Sequence, residues 1–160
     1  MRVEYINPFV ESALNILREV LGGVEVKRGS LYLKSSSMSI MGVAALVGLA
    51  GDVEGRVLFD MTKKSALYVA GLMNGEEFTV LDEMVKATIT ELANMITAQA
   101  VTRLHDLGFK FDLTPPALFT GDNMEISNNL EVEALIVPML IGQNGEDARV
   151  EVNVVIRERI

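Results

Sequence analysis

The stretch LDEMVKATITELANMITAQAVTRLHDLG, Leu81 to Gly108, decides the fold. At about 100° per residue, Met84, Val85, Ile89, Leu92, Ala93, Met95, Ile96, Ala100 and Leu104 share one broad arc. The spacing predicts a long helix over Leu81 to Leu107 with that arc in a core, and Gly108 ends it. The opposite side carries Ala87, Thr90, Glu91, Asn94, Thr97, Ala98 and Val101.

Upstream of this helix, Asn7 to Leu21 repeats the helical spacing with Phe9, Ala13, Ile16, Leu17 and Val20, and Gly22-Gly23 closes it. Asn7 followed by Pro8 reads as an N-cap with Pro at the first helical position. Three strand-like runs follow: Val24 to Leu33, Met38 to Leu49 and Gly55 to Met61, with a Gly51-Asp52 turn between the second and third. A short helix, Lys63 to Met73, stops at Asn74-Gly75. Downstream come Phe109 to Leu113, a Thr114-Pro115-Pro116 corner and a loop around Gly121-Asp122-Asn123. Glu131 to Ile141 and Arg149 to Arg157 close the chain as strands, the last alternating Val150, Val152, Val154 and Ile156. Each half therefore reads helix, then strands, with a small helix between the halves. The expected class is α+β: helices packed on an antiparallel sheet, with a pseudo-twofold helix-plus-strands repeat, in one domain over residues 1–160.

Composition excludes many chemistries. The chain has 160 residues, 49% hydrophobic and 22% charged, which is the balance of a globular protein able to bury a sizeable core. Without Cys there is no thiolate nucleophile, thiolate metal site or disulfide. A lone His105 leaves no His cluster for a metal and no ordinary Ser-His-Asp triad; near a helix C-terminus it reads as structural. The charge of -8 argues against nucleic-acid binding through a basic face. The apolar run Ile40 to Ala50 is too short to cross a bilayer, and the N-terminus lacks the form of a signal peptide, so a cytoplasmic location is expected. Gly48-x-x-Gly51-x-x-x-Gly55 precedes a strand and not a helix, so it reads as turn glycines, not a phosphate loop. The nine Met residues read as core filler, and Gly121-Asp122-Asn123-Met124-Glu125 as a loop without EF-hand spacing.

The outer side of the long helix is unusual. A solvated helix face normally carries Lys, Glu, Gln and Arg. Around Asn94 stand Thr90, Glu91, Thr97 and Ala98, which apart from Glu91 are short. Short neighbours let a partner's surface approach while one amide projects, and Asn is a mediocre helix former. The bland reading is an Asn tolerated on a surface helix. Glu-x-x-Asn is cheap as a pattern, since Glu4 to Asn7 and Glu125 to Asn128 also match it. Only Glu91 and Asn94 are expected mid-helix, one turn apart on the same side.

Three separated motifs add to this. Leu81-Asp82-Glu83 … Thr90-Glu91-Leu92-Ala93-Asn94-Met95-Ile96 resembles the signature helix of the CheX/CheC/FliY chemotaxis phosphatases. Gly48-Leu49-Ala50-Gly51-Asp52-Val53-Glu54-Gly55 and Asp112-Leu113-Thr114-Pro115-Pro116 are similar to that family too. The short length and the single helical Glu-x-x-Asn resemble its CheX branch; the first helix offers Glu11-Ser12-Ala13-Leu14, where the amide is missing.

The resemblance implies a phosphatase that hydrolyses the aspartyl phosphate of a CheY-type response regulator. Glu91 and Asn94 would be its catalytic pair, Asn94 placing water and Glu91 pairing with a Lys of the partner. Ala87, Thr90, Thr97, Ala98 and Val101 would form the docking face. It implies no cofactor of its own, with Mg²⁺ supplied by the response regulator, and a homodimer through edge strands that leaves Asn94 exposed. Ala98 departs from the Gly often found there in the family. A non-catalytic module that docks a regulator or a motor component through the same face is the alternative. An Ala/Thr face buried between two copies is a third reading.

Overall fold

The computed structural model describes residues 3–35, 37–127 and 133–158. Helix α1 runs Val3–Val20, followed by short strands β1 (Val26–Arg28), β2 (Tyr32–Lys34) and β3 (Ser37–Ser39) and the long hairpin β4 (Gly42–Gly51) and β5 (Val53–Thr62). Then come α2 (Lys63–Asn74) and α3 (Glu83–Asp106), strands β6 (Phe111–Leu113), β7 (Ala117–Thr120) and β8 (Glu125–Ser127), and the hairpin β9 (Ala134–Ile141) and β10 (Ala148–Glu158).

Among the described residues the main sheet has eight antiparallel strands in the order β1-β9-β10-β5-β4-β6, with β2 also on β9 and β7 also on β4. Strands β3 and β8 pair with each other. This pairing is a pseudo-twofold exchange. The short strands of the first half, β1 and β2, pair with β9 of the second half, and β6 and β7 return to β4 of the first. The axis runs between β5 and β10, in register from Glu151 opposite Asp60 to Glu158 opposite Val53. The α+β expectation holds.

Alternation along β4 separates two faces. Val43, Ala45 and Leu49 join the core beneath the helices, whereas Ala44 and Leu46 meet Ile40, Met124 and Ile126 beneath the β3–β8 ribbon. Helices α1 and α3 pack side by side in a matched register. Seven of the nine buried positions of α1 recur in α3 at an offset of 80 residues, from Tyr5 and Val85 to Leu17 and Thr97; Ile6 and Val10 are matched by the half-buried Lys86 and Thr90. Thr62 caps α2 by accepting from Ser65 N at 3.0 Å, and Asp82 caps α3 by accepting from Val85 N at 2.9 Å. The Asp82 carboxylate also suits the positive end of the helix dipole.

Several expectations are corrected. Helix α1 begins at Val3, so Asn7 is not its cap, Pro8 lies inside it, and Glu4 to Asn7 is a second helical Glu-x-x-Asn where only Glu91 and Asn94 were expected to be one. Packing prolongs the helix: Tyr5 and Ile6 are buried, and the Tyr5 ring meets Phe109 edge-on at 4.8 Å. That burial outweighs the boundary which proline favours. The expected strand Val24 to Leu33 breaks around Gly29, whose N–H donates to Pro138 O at 2.8 Å. Met38 to Leu49 divides into β3 and β4, and β7 and β8 stand where only a loop was expected. Asn128 and the start of the strand expected from Glu131 lie outside the described residues.

The glycine-rich turn is structural, as its sequence context predicts. Gly51 and Gly55 have φ of 126° and 151°, and a Cβ on Gly55 would collide with the Val155 carbonyl of β10. The hairpin tip also fixes the end of α3. Asp52 Oδ2 accepts from Lys110 N at 2.9 Å, while Thr114 Oγ1 accepts from Gly48 N at 2.8 Å. Two of the three quoted motifs thus meet at one corner.

Candidate functional site

Helix α3 buries Ile89, Leu92, Ile96, Ala100 and Leu104 against the sheet and α1. Each fully buried aliphatic side chain is worth about 1.5–3 kcal/mol relative to exposure, so this face fixes the helix rotation. What remains outward is a stripe of Ala87, Glu91, Asn94, Ala98 and Thr102, all exposed. Glu91 and Asn94 are one turn apart, where side chains are neighbours at about 5–6 Å between Cβ atoms. Neither side chain has a hydrogen-bond or ion-pair partner among the described residues. A rigid, well-anchored helix therefore presents an unengaged carboxylate and an unengaged carboxamide between two alanines.

The other expected site residues divide. Thr90 is half-buried and its hydroxyl donates to Lys86 O at 2.9 Å, so that hydroxyl serves the helix. Val101 is half-buried against the core. Thr97 does not belong to the outward face: it is 2% exposed and its hydroxyl donates to Ala93 O at 2.8 Å. Helix α1 covers that flank, which narrows the free arc below what one amphipathic helix over a sheet would leave. Conversely Met84, expected in the core, is 53% exposed, and Met95 is only half-buried.

Strand β7 supplies residues that the sequence did not point to. Leu118 and Thr120 face α3 and, with Lys86, Ala87, Thr90 and Glu91, line an open cleft of about 480 Å³. A four-residue strand after a Pro-Pro corner carries too short an alternation to be legible. Glu83 stands at the mouth, its carboxylate 3.5 Å from Lys86 Nζ.

The internal pseudo-symmetry supplies a control. Glu11 and Leu14 of α1 occupy the positions of Glu91 and Asn94. Glu11 accepts from Arg103 at 2.7 Å, and Leu14 has no amide. At the positions that match Glu91 and Asn94, α1 therefore has neither of the free polar groups that α3 presents, although Asn7 leaves an exposed amide one turn nearer its N-terminus. Among the described residues no three His, Asp or Glu side chains converge to hold a metal ion, and no helix is long and apolar enough to cross a membrane.

Known proteins share this fold. The family model "Chemotaxis phosphatase CheX" matches residues 43–140. The CheY-P phosphatase CheX of Thermotoga maritima is 30% identical over 129 residues, 80% of this chain and 83% of that protein. The crystal structure of a CheX–CheY–BeF₃–Mg²⁺ complex from Borrelia burgdorferi contains a chain that is 44% identical. It superposes with a TM-score of 0.84 over 98% of this chain and 100% of that one. A CheC-like superfamily protein from Shewanella sp. PV-4 is 28% identical, with a TM-score of 0.84 over 98% of this chain and 99% of the other.

Proposed function

This chain belongs to the chemotaxis phosphatase CheX family, and from that premise we propose that it hydrolyses the aspartyl phosphate of a CheY-type response regulator with Glu91 and Asn94. The observation that carries the assignment is the unengaged Asn94 carboxamide on the outward stripe of α3, bordered by Ala98 and Ala87.

Phosphoryl transfer of this kind needs water in line behind phosphorus more than it needs covalent help. The Asn94 carboxamide oxygen accepts a hydrogen bond from that water and holds it; an amide is too weakly basic to take the proton, so it acts by position. The water oxygen bonds to phosphorus as the bond to the Asp carboxylate oxygen breaks. Both protons of the water stay with the phosphate, released as H₂PO₄⁻, and the regulator regains its carboxylate. Glu91 anchors a cationic side chain of the regulator, which fixes the docked register. Ala87 and Ala98 permit close approach, flanked by Thr90 and Val101. The Mg²⁺ of the reaction is assigned to the regulator.

A homodimer through an edge of the sheet accompanies this reading. The β1–β2 edge is the favoured one, because Leu31 and Leu33 are 52% and 60% exposed beside Val3 at 61%. Exposed apolar residues on an edge strand invite pairing. A dimer through that edge leaves α3 and β7 open. The test is release of phosphate from a phosphorylated CheY-type regulator by wild type and by Asn94→Ala. Loss of activity with retained folding and binding supports the assignment; equal activity of the variant overturns it. Binding by wild type without any acceleration would leave a docking module only.

A further inference from the structure

The cleft between α3 and β7 has a counterpart across the internal pseudo-twofold, between α1 and the β1–β2 edge. Val3, Ile6 and Val10 stand there where α3 has Glu83, Lys86 and Thr90, and Leu31 and Leu33 stand in place of the β7 wall. That counterpart, about 390 Å³, is lined by apolar side chains apart from Asn7 and Arg28 and carries no carboxylate. One backbone arrangement thus carries two different linings, so the acidic character of the α3–β7 cleft is a property of these side chains and not a requirement of the fold.

Resting on the function proposed above, we infer that the α3–β7 cleft is a specificity site that takes one long basic side chain of the regulator, with Leu118 and Thr120 selecting it. The cleft is continuous with the proposed docking stripe, because Ala87 and Glu91 belong to both. Its charged lining is Glu83 and Glu91 against Lys86, and Lys86 is already drawn toward Glu83. The remaining field is negative and favours a cation. Its walls, Ala87, Leu118 and the Thr90 side chain, suit the methylene stem of a Lys or Arg that keeps its charge at a wet mouth. Strand β7 thereby reads the partner, while Asn94, a full turn along the helix, handles the water.

The test uses the full chain and its own CheY-type regulator, loaded with beryllofluoride and Mg²⁺ for binding and phosphorylated for turnover. Thr120 is exposed, so charge changes there leave folding intact. Thr120→Lys is expected to raise both Kd and KM about tenfold, to leave kcat within about twofold, and to lose part of its penalty at high salt. Thr120→Glu is expected to lower Kd, a sign reversal that a merely structural role would not produce. Leu118→Ala is expected to raise Kd severalfold. Asn94→Ala moves kcat and not Kd, which separates the two sites. Unchanged Kd in all three cleft variants overturns the inference. So does a change in oligomeric state in their place, which would assign the cleft to a second copy of this chain. If wild type binds the regulator without hydrolysing it, the phosphatase assignment falls while the Kd comparison still decides the cleft. If wild type binds no phosphorylated regulator, both fall.

Discussion

Glu11 and Glu91 stand at matching positions on the paired helices α1 and α3, yet Glu11 is held by Arg103 at 2.7 Å while Glu91 faces outward with no partner among the described residues. The pair is informative because the backbone setting is equivalent while the side chains differ. Both helices use the same phase to meet the sheet and each other, and both place this carboxylate on the outer side. Only α3 follows it, three residues on, with an amide; α1 has Leu14. Surface ion pairs contribute about 0–1 kcal/mol, so Glu11 and Arg103 are not needed for the fold. Their effect is that, of these two matched carboxylates, only Glu91 is left without an ion-pair partner among the described residues.

Asn94→Ala is expected to reduce phosphatase kcat by about 100-fold or more, the scale of losing a positioning group. Glu91→Gln should act mainly on KM, since a neutral amide no longer attracts the regulator's cation. Steady-state phosphate release with both variants checks the split, and circular dichroism should be unchanged because both side chains are exposed.

Thr97 distinguishes a docking residue from a packing residue. Thr97→Val keeps the shape and loses only the hydroxyl that donates to Ala93 O and, at 3.2 Å, Asn94 O, so it should cost about 1 kcal/mol or less and leave KM unaltered. Thr97→Lys buries a charge against α1 and should destabilise by several kcal/mol. Urea denaturation of the two variants tests this; a KM change with Thr97→Val would return Thr97 to the docking face.

Asp60 makes stability depend on pH. It is fully buried on β5, and its carboxyl is pushed up from 3.8 to about 6, first by burial and then by the Glu151 carboxylate directly across on β10. The Met41 N–H, donating to Oδ1 at 3.0 Å, and Lys34 pull the other way. The folded state holds this proton more tightly than the unfolded chain does. This group therefore costs nothing below about pH 4; stability falls as pH rises toward about 6, and the full cost persists above that. Asp60→Asn retains the acceptor for Met41 and removes the charge. It should stabilise the protein at pH 8 by roughly 2 kcal/mol and have little effect near pH 4, as followed by denaturation at both values.

Gly55→Ala should be among the most damaging single-methyl changes in the chain. At φ 151° the backbone itself disfavours a side chain, and the new Cβ would strike the Val155 carbonyl in the central β5–β10 pairing. A loss of more than about 3 kcal/mol, read as a large fall in Tm, is expected. A nearly unchanged Tm would mean that the central pair relaxes at that point.

Helix α3 was legible because Val85, Ile89, Leu92, Ile96 and Leu104 repeat with helical period; its expected mid-helix placement set Glu91 and Asn94 apart from two other Glu-x-x-Asn matches, a distinction that Glu4 and Asn7, both within α1, do not respect. Hairpins β4–β5 and β9–β10 were legible from long apolar runs and the turn at Gly51-Asp52. Strand β7, with a single half-buried residue, Leu118, among exposed ones, was not. Its strand state comes from pairing with β4 some 70 residues earlier, Ala44 opposite Phe119 and Leu46 opposite Ala117, and local sequence carries no trace of a distant partner.

The sequence by itself determined the two helix-plus-strands halves, the outward Glu91 and Asn94, and the exclusion of cysteine and histidine-cluster chemistry. Those rest on local periodicity and composition, which act within a few turns of chain. Only the tertiary structure decided that the halves exchange their short strands, that α1 covers Thr97, that Arg103 engages Glu11, and that Leu118 and Thr120 flank Glu91. Each of these joins residues far apart along the chain, and such contacts form only when burial of the shared core fixes both partners in place.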